Sequence, residues 1–186
     1  GIDAAEGMLE IARERTPGGD FRQGDLEALP FDDNAFDLVT GFNAFQFASD
    51  PVKALREAGR VTRPGGMVVV TTWGNPAGMD AASLIAAMKP MLPPAPTGAP
   101  GPFALSEETA LRAFAVAGGL TPVTVFDVDS PWFYRDEATA LRGFGAAGGA
   151  TLARERVGEA AFNAAISAAL APFRQPDGSF RLGARA

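Results

Sequence analysis

The stretch Met67-Val68-Val69-Val70-Thr71-Thr72-Trp73 constrains this chain most. Seven successive residues are apolar or β-branched, so both alternating faces of an extended segment would be apolar. Such a strand has to be covered on both sides, as in a parallel sheet flanked by helices. Parallel neighbours cannot be joined by a tight turn and need a crossover, usually helical. The flanking sequence supplies that alternation. Asp20 to Gly24 and Phe36 to Gly41 read as strands, with Phe36, Leu38 and Val39 as the apolar positions of the second. Gly1-Ile2-Asp3 reads as the end of another strand. The expected class is α/β, a doubly wound, mostly parallel sheet with right-handed crossovers.

Local signals place the helices. Residues 4–15 read as a helix capped by Asp3, with Glu6 at a capping-box-like spacing and a stripe of Met8, Ile11 and Ala12 widened by Leu9. Asp50-Pro51 gives an N-cap and a proline in the first turn, opening a helix to about Val61. Pro64-Gly65-Gly66 is expected to stop that helix and turn the chain. Residues 79–91 read as a helix. Residues 92–102 carry five prolines and two glycines and read as a loop. A helix from Ser106 to Gly118-Gly119 is followed by a strand over Thr121–Asp129. Helices are expected near 136–147 and 158–171, the latter with Phe162, Ile166 and Leu170 on one stripe. The Ala/Gly-rich stretch 143–153 reads as a loose connection. Asp177-Gly178 is a turn signal that leads into a strand at Ser179–Leu182. The chain is expected to form one domain, residues 1–186. Residues 1–75 would make one half, and residues 76–186 would supply further helices, a loop and the last strands.

Composition removes several chemistries. There is no Cys and no His. Thiolate and histidine nucleophile systems and the usual zinc-water sites are therefore excluded, and no metal site is expected. The net charge of −6 argues against binding nucleic-acid phosphates. No apolar run approaches the roughly 20 residues of a membrane span, and the expected location is the cytoplasm. Ligands of doubly wound sheets lie across the carboxyl ends of the strands. Asp3 and Asp25 stand at two such ends and suit a nucleoside.

Five groups of residues, in order, carry a resemblance. They are Gly1-Ile2-Asp3 with Met8-Leu9 and Ala12-Arg13; Gly24-Asp25 with Leu29-Pro30-Phe31; Phe36-Asp37-Leu38-Val39; Ala54-Leu55-Arg56-Glu57; and Arg63-Pro64-Gly65-Gly66. Over residues 1 to about 73 the chain resembles the Rossmann-like S-adenosylmethionine-dependent methyltransferases of the ubiquinone/menaquinone-biosynthesis group. The resemblance implies methyl transfer from S-adenosylmethionine to a small-molecule acceptor. It gives Asp3 the ribose hydroxyls, beside its plain reading as a helix cap. It gives Asp25 the adenine amino group, and the Leu26 backbone N–H a ring nitrogen. The plain reading of Asp25 is a solvated loop acid. Phe42 and Asn43 would flank the methionine part of the cofactor. Gln46, Trp73, Trp132 and Tyr134 would meet the substrate, with Met79 beside them and the loop 92–102 as a lid. Relatives often carry His near Gln46, and Gln cannot serve as a base at neutral pH.

No catalytic base is singled out. Methyl transfer from a sulfonium needs positioning and exclusion of water more than proton transfer. Only Asp, Glu, Lys53, Lys89 or Tyr134 could take a proton. A short-chain dehydrogenase on the same kind of sheet is excluded, because the position four residues after Tyr134 is Ala138. The chain opens in mid-pattern, so the first strand and the Gly-rich cofactor loop of the family are expected to be missing. The competing expectation is a non-catalytic remnant or binding domain of the same fold. The chain as given is expected to bind cofactor weakly or not at all, even where the parent protein is a methyltransferase. Oligomeric state is left open.

Overall fold

A computed structural model describes residues 1–94 and 101–186. Along the chain run β1 (Ile2–Asp3), α1 (Glu6–Arg15), β2 (Arg22–Gln23), β3 (Phe36–Phe42), α2 (Pro51–Val61) and β4 (Thr62–Thr71). Then come α3 (Ala82–Met88), α4 (Glu108–Ala117), β5 (Trp132–Tyr134), α5 (Glu137–Gly145), α6 (Gly148–Val157), α7 (Glu159–Leu170) and β6 (Phe180–Leu182). The chain divides into two compact units, residues 1–72 with 104–125, and residues 73–103 with 126–186. Residues 104–125 pack with the first unit. The reason is apolar. Phe114 of α4 joins Phe45, Ala54, Leu55 and Ala58 in one buried cluster.

In the first unit β1 pairs in parallel with β2, and β3 in parallel with β4. These are two separate two-stranded ladders, and β5 with β6 makes a third, antiparallel one in the second unit. The class is thus α/β with parallel pairs, without one continuous sheet among the described residues. Val39, Val68 and Val70 face the buried cluster. The opposite face of β3–β4 is uncovered: Leu38 is 50% and Met67 61% exposed.

Several local expectations are corrected. Asp3 does not cap α1: its Oδ1 accepts from Ala5 N–H, and Ala5 occupies the cap position without a side-chain bond. Glu6 pairs instead with Arg13. Leu9 is the buried residue of α1, while Met8 and Ile11 are exposed. Asp50 does cap α2, accepting from Lys53 N–H at 3.0 Å. Pro64-Gly65-Gly66 does not end the run before a new strand. It lies inside β4, where Thr62 opposes Phe36 and Met67 opposes Leu38, so the three residues are accommodated as a bulge. Gly66 is required there, since a Cβ would lie 2.7 Å from the Asp37 carbonyl oxygen.

The expected helix over 79–91 is shorter, with α3 flanked by single 3-10 turns at Pro76–Gly78 and Lys89–Met91. Thr121–Asp129 is not a strand. Val123 is 84% exposed, and the pairing found among the described residues is at the end, Val128 with Ala186 and Asp129 with Arg185. The stretch 143–153 contains most of α6 rather than a loose connection, because Ala150 and Ala153 are small enough to be fully buried. In the second unit Phe162, Ile166 and Leu170 of α7 are wholly buried with Leu84, Ala140 and Leu182. The turn at Asp177-Gly178 forms as expected and leads into β6.

Candidate functional site

The two acids of the first unit are built alike. Asp3 ends β1, and its Oδ1 accepts from Ala5 N–H at 2.8 Å. Asp25 lies two residues beyond β2, and its Oδ1 accepts from Glu27 N–H at 2.8 Å. Each side chain bonds the backbone two residues on, an Asx turn. Each is exposed, and neither Oδ2 has a partner among the described residues. β1 and β2 are paired with Asp3 opposite Gln23, and Gly24 N–H donates to Asp3 O at 3.1 Å. The two carboxylates therefore belong to the ends of adjacent parallel strands. The Leu26 N–H next to Asp25 donates to nothing among the described residues, and the Leu26 side chain packs on the buried cluster around Phe45.

The loop after Asp25 is clamped from α2, a feature the sequence reading missed. Arg60 donates to the carbonyl oxygens of Leu29 and Phe31 at 3.0 and 2.9 Å, to Asp33 at 2.7 Å, and to both oxygens of Glu57. Glu57 in turn accepts from Leu29 N–H at 2.9 Å. The Arg60 hydrogen bonds hold the Glu57 carboxyl below its ordinary value. Glu27 accepts from Asp50 N–H at the start of α2. Glu57 belongs to the Ala54-Leu55-Arg56-Glu57 group of the resemblance, whereas Arg60 lies outside it. Their spacing on α2 signals an ion pair, but its targets lie about 30 positions earlier.

Past β3 the chain turns sharply. Asn43 sits in the left-handed region at φ 48, and its N–H donates to Thr71 O at 2.9 Å. Gln46 Nε2 donates to Asn43 Oδ1 at 3.2 Å, so the predicted Asn43 and Gln46 are brought together. Phe42 is exposed, whereas Phe45 is buried against Gly41. A Cβ at Gly41 would lie 2.2 Å from the Phe45 ring, so only glycine permits this approach.

In the second unit Trp73 and Trp132 meet edge to face at 5.7 Å. Trp132 continues to Phe144, which stacks on Phe162. Trp73, Trp132 and Tyr134 are partly buried against the core of that unit, and Met79 is buried within it. Burial pushes the Tyr134 hydroxyl up, so it stays protonated at neutral pH. None of these residues lines the cleft of about 370 Å³ in this unit, which is formed by Asp80, Asp129, Pro131, Gln175, Arg181, Gly183 and Ala184. Of the expected lid, residues 95–100 lie outside the described residues. Among the described residues, no cluster of three acids could hold a metal and no helix is long and apolar enough to cross a membrane.

Residues 1–70 match the model of a family described as a methyltransferase domain. A stretch of 75 residues is also 45% identical to the demethylmenaquinone methyltransferase of Renibacterium salmoninarum, covering 40% of this chain and 32% of that protein. A stretch of 79 residues is 42% identical to the enzyme of that name from Staphylococcus aureus, covering 41% and 33%. The matched region thus spans about a third of the length of these curated relatives. Likeness over the whole chain is of fold. The YcgJ protein of Bacillus subtilis superposes with a TM-score of 0.55 at 22% identity, covering 100% of this chain and 78% of that one. The fold is that of the Rossmann-like methyltransferases.

Proposed function

We infer that this chain contributes to S-adenosylmethionine-dependent methyl transfer to a small-molecule acceptor. The observation that carries the reading is the pair of Asx-turn carboxylates on adjacent strand ends, each with one oxygen left for a ligand. Two acceptor oxygens so placed fit the hydroxyls and amine of the nucleoside part of the cofactor. Asp3 would accept from the ribose hydroxyls, a charge-assisted pairing. Asp25 would accept from the adenine amine, and the Leu26 N–H would donate to a ring nitrogen. Phe42 would supply an apolar wall, and Asn43 would meet the polar methionine end. The cofactor supplies a methyl group already activated on sulfur. The protein's part is orientation and the exclusion of water. No general base is assigned, and Tyr134, held protonated, is a poor candidate for one. Gln46, Trp73, Trp132 and Tyr134 as acceptor-side residues remain part of this proposal.

A non-catalytic binding domain is the second reading. It is favoured by the uncovered apolar face at Leu38 and Met67, because parallel strands are ordinarily covered on both faces. Titration with S-adenosylhomocysteine, followed by backbone amide NMR, tests the first reading. Shifts centred on Asp3, Asp25 and Leu26 are expected, with affinity falling about tenfold or more in Asp3→Asn, the loss of one charge-assisted bond. No shifts at millimolar ligand, or an unchanged affinity in Asp3→Asn, would refute the assignment.

A further inference from the structure

One backbone donor stands alone in the loop after β2. Between Leu26 and Phe31, Pro30 has no N–H, and all the other donors but one are taken. Glu27 N–H goes to Asp25 Oδ1, Ala28 N–H to Asp25 O, Leu29 N–H to Glu57 Oε2 and Phe31 N–H to Leu29 O. Leu26 N–H alone is left without an acceptor among the described residues. Its neighbour in sequence, Asp25, keeps one carboxylate oxygen without a partner among them. The carbonyl oxygens on either side of Pro30 are held from outside the loop. Arg60 donates to Leu29 O, Phe31 O, Asp33 Oδ1 and both oxygens of Glu57, five bonds in all. A guanidinium has no more than five N–H donors. Glu27 accepts from Asp50 N–H at the other end of the same helix. That helix, α2, is anchored through the buried Ala54, Leu55 and Ala58. The loop is thus tied to the core of its unit chiefly through Glu57 and Arg60.

We propose that Glu57 and Arg60 are positioning residues that fix the Leu26 N–H and the Asp25 carboxylate as a pair admitting a 6-amino purine and rejecting a 6-oxo purine. That a purine nucleoside binds here rests on the reading above. The selectivity and its origin in α2 go beyond it. A 6-amino purine offers a donor at its amine and an acceptor at the neighbouring ring nitrogen. A 6-oxo purine reverses both, with a carbonyl oxygen and a ring N–H. An ionised carboxylate only accepts and a backbone N–H only donates. The reversed base would therefore set oxygen against oxygen and N–H against N–H, and leaving such groups unmatched is what makes a hydrogen-bonding site selective. Selectivity of this kind needs donor and acceptor held to within about 0.5 Å. The Asx turn of Asp25 fixes residues 25–27 locally and cannot hold the loop against the helix. Arg60 does that by bridging Leu29 O and Phe31 O to Glu57. Lysine at this position would keep the charge but not the planar fork that reaches several acceptors at once.

The test uses adenosine and inosine as probes on the whole chain, with the Leu26 backbone amide followed by NMR. Adenosine is expected to bind about tenfold tighter than inosine, the worth of one well-made hydrogen bond. Arg60→Lys and Glu57→Gln should each bring that ratio below about threefold. Asp3→Asn, on the ribose side, should weaken both nucleosides alike and leave the ratio as it was. Mere loss of stability would also lower both affinities together, so the ratio separates positioning from support. A second readout needs no ligand. In the free protein the order parameter of the Leu26 amide should be near the rigid value of about 0.85 in wild type and below about 0.6 in Arg60→Lys. Circular dichroism checks that the variants fold, and if Arg60→Lys does not, Glu57→Gln decides the matter. A preference for adenosine that is the same in wild type and both variants would overturn the positioning role and leave nucleoside binding standing. So would a Leu26 order parameter that the variants do not change. Equal affinity of the wild type for adenosine and inosine would overturn the selectivity. Binding of neither nucleoside nor S-adenosylhomocysteine at millimolar concentration would remove the cofactor reading and this proposal with it.

Discussion

Replacing Arg60 by Met tests whether α2 fixes the loop that carries Asp25 and Leu26. Met keeps most of the apolar stem and deletes the guanidinium. The deletion strips donors from the carbonyl oxygens of Leu29 and Phe31 and from both oxygens of Glu57. Those partners are part-buried, and the Arg60 side chain is only 32% exposed. The bond to Asp33 adds little, because that carboxylate is 69% exposed and well screened. After discounting for partial exposure, the loss should be about 2–3 kcal/mol, a large share of an ordinary folding free energy of about 5–15 kcal/mol.

Urea unfolding followed by far-ultraviolet circular dichroism measures this loss. Repeating it with falling pH adds a second check. The Arg60 bonds hold the folded Glu57 carboxyl below its ordinary value of 4.5. The unfolded chain therefore binds that proton first, and the contribution is complete above 4.5. It is lost as pH falls from 4.5 through the folded value. The gap between wild type and Arg60→Met should accordingly be widest at neutral pH and narrow below 4.5. It should not vanish, since the carbonyl bonds of Arg60 do not titrate. A gap under about 0.5 kcal/mol at neutral pH, the scatter of ordinary surface substitutions, would refute the reasoning. A gap that stays constant with pH would refute the role given to Glu57.

Gly41→Ala should force the Phe45 ring, 2.2 Å from the new Cβ, out of its place and cost about 1–3 kcal/mol in the same unfolding measurement. The Gln46 side-chain amide resonance should move with it, and an unshifted resonance would show that the segment yields without disturbing Gln46. Phe162→Ala should cost about 3–5 kcal/mol, because the ring is wholly buried and stacked on Phe144. Trp73 and Trp132 are the only tryptophans and both lie in the second unit. Their fluorescence reports that loss directly, and a change below about 1 kcal/mol would contradict the packing described.

The parts of the fold that were legible had a period or a cap to read. The stripe of Phe162, Ile166 and Leu170 identified α7, and Asp50-Pro51 marked the start of α2. Helix α6 was hidden because it packs through Ala150 and Ala153, whose small side chains give little amphipathic contrast. Thr121–Asp129 has the composition of a strand, but composition does not supply a neighbour, and β-propensity follows context. At the candidate site, Asp3 and Asp25 are single residues at strand ends, positions that a sequence pattern can mark without any long-range information. The role of Arg60 could not be read, because its partners are distant in sequence. The aromatic residues Trp73, Trp132 and Tyr134 show a further limit, since core and pocket draw on the same residue types. The structure puts all three against a core.

The twin Asx turns have one more consequence. At Asp3 and Asp25 the backbone is held by a single side-chain oxygen, and an asparagine carbonyl could hold it equally well. Local shape and local charge are therefore separable at both places. One base change in a codon could erase a negative charge at either strand end without rebuilding the loop around it. Charge on this scaffold can drift by such neutral-to-fold steps, one strand end at a time.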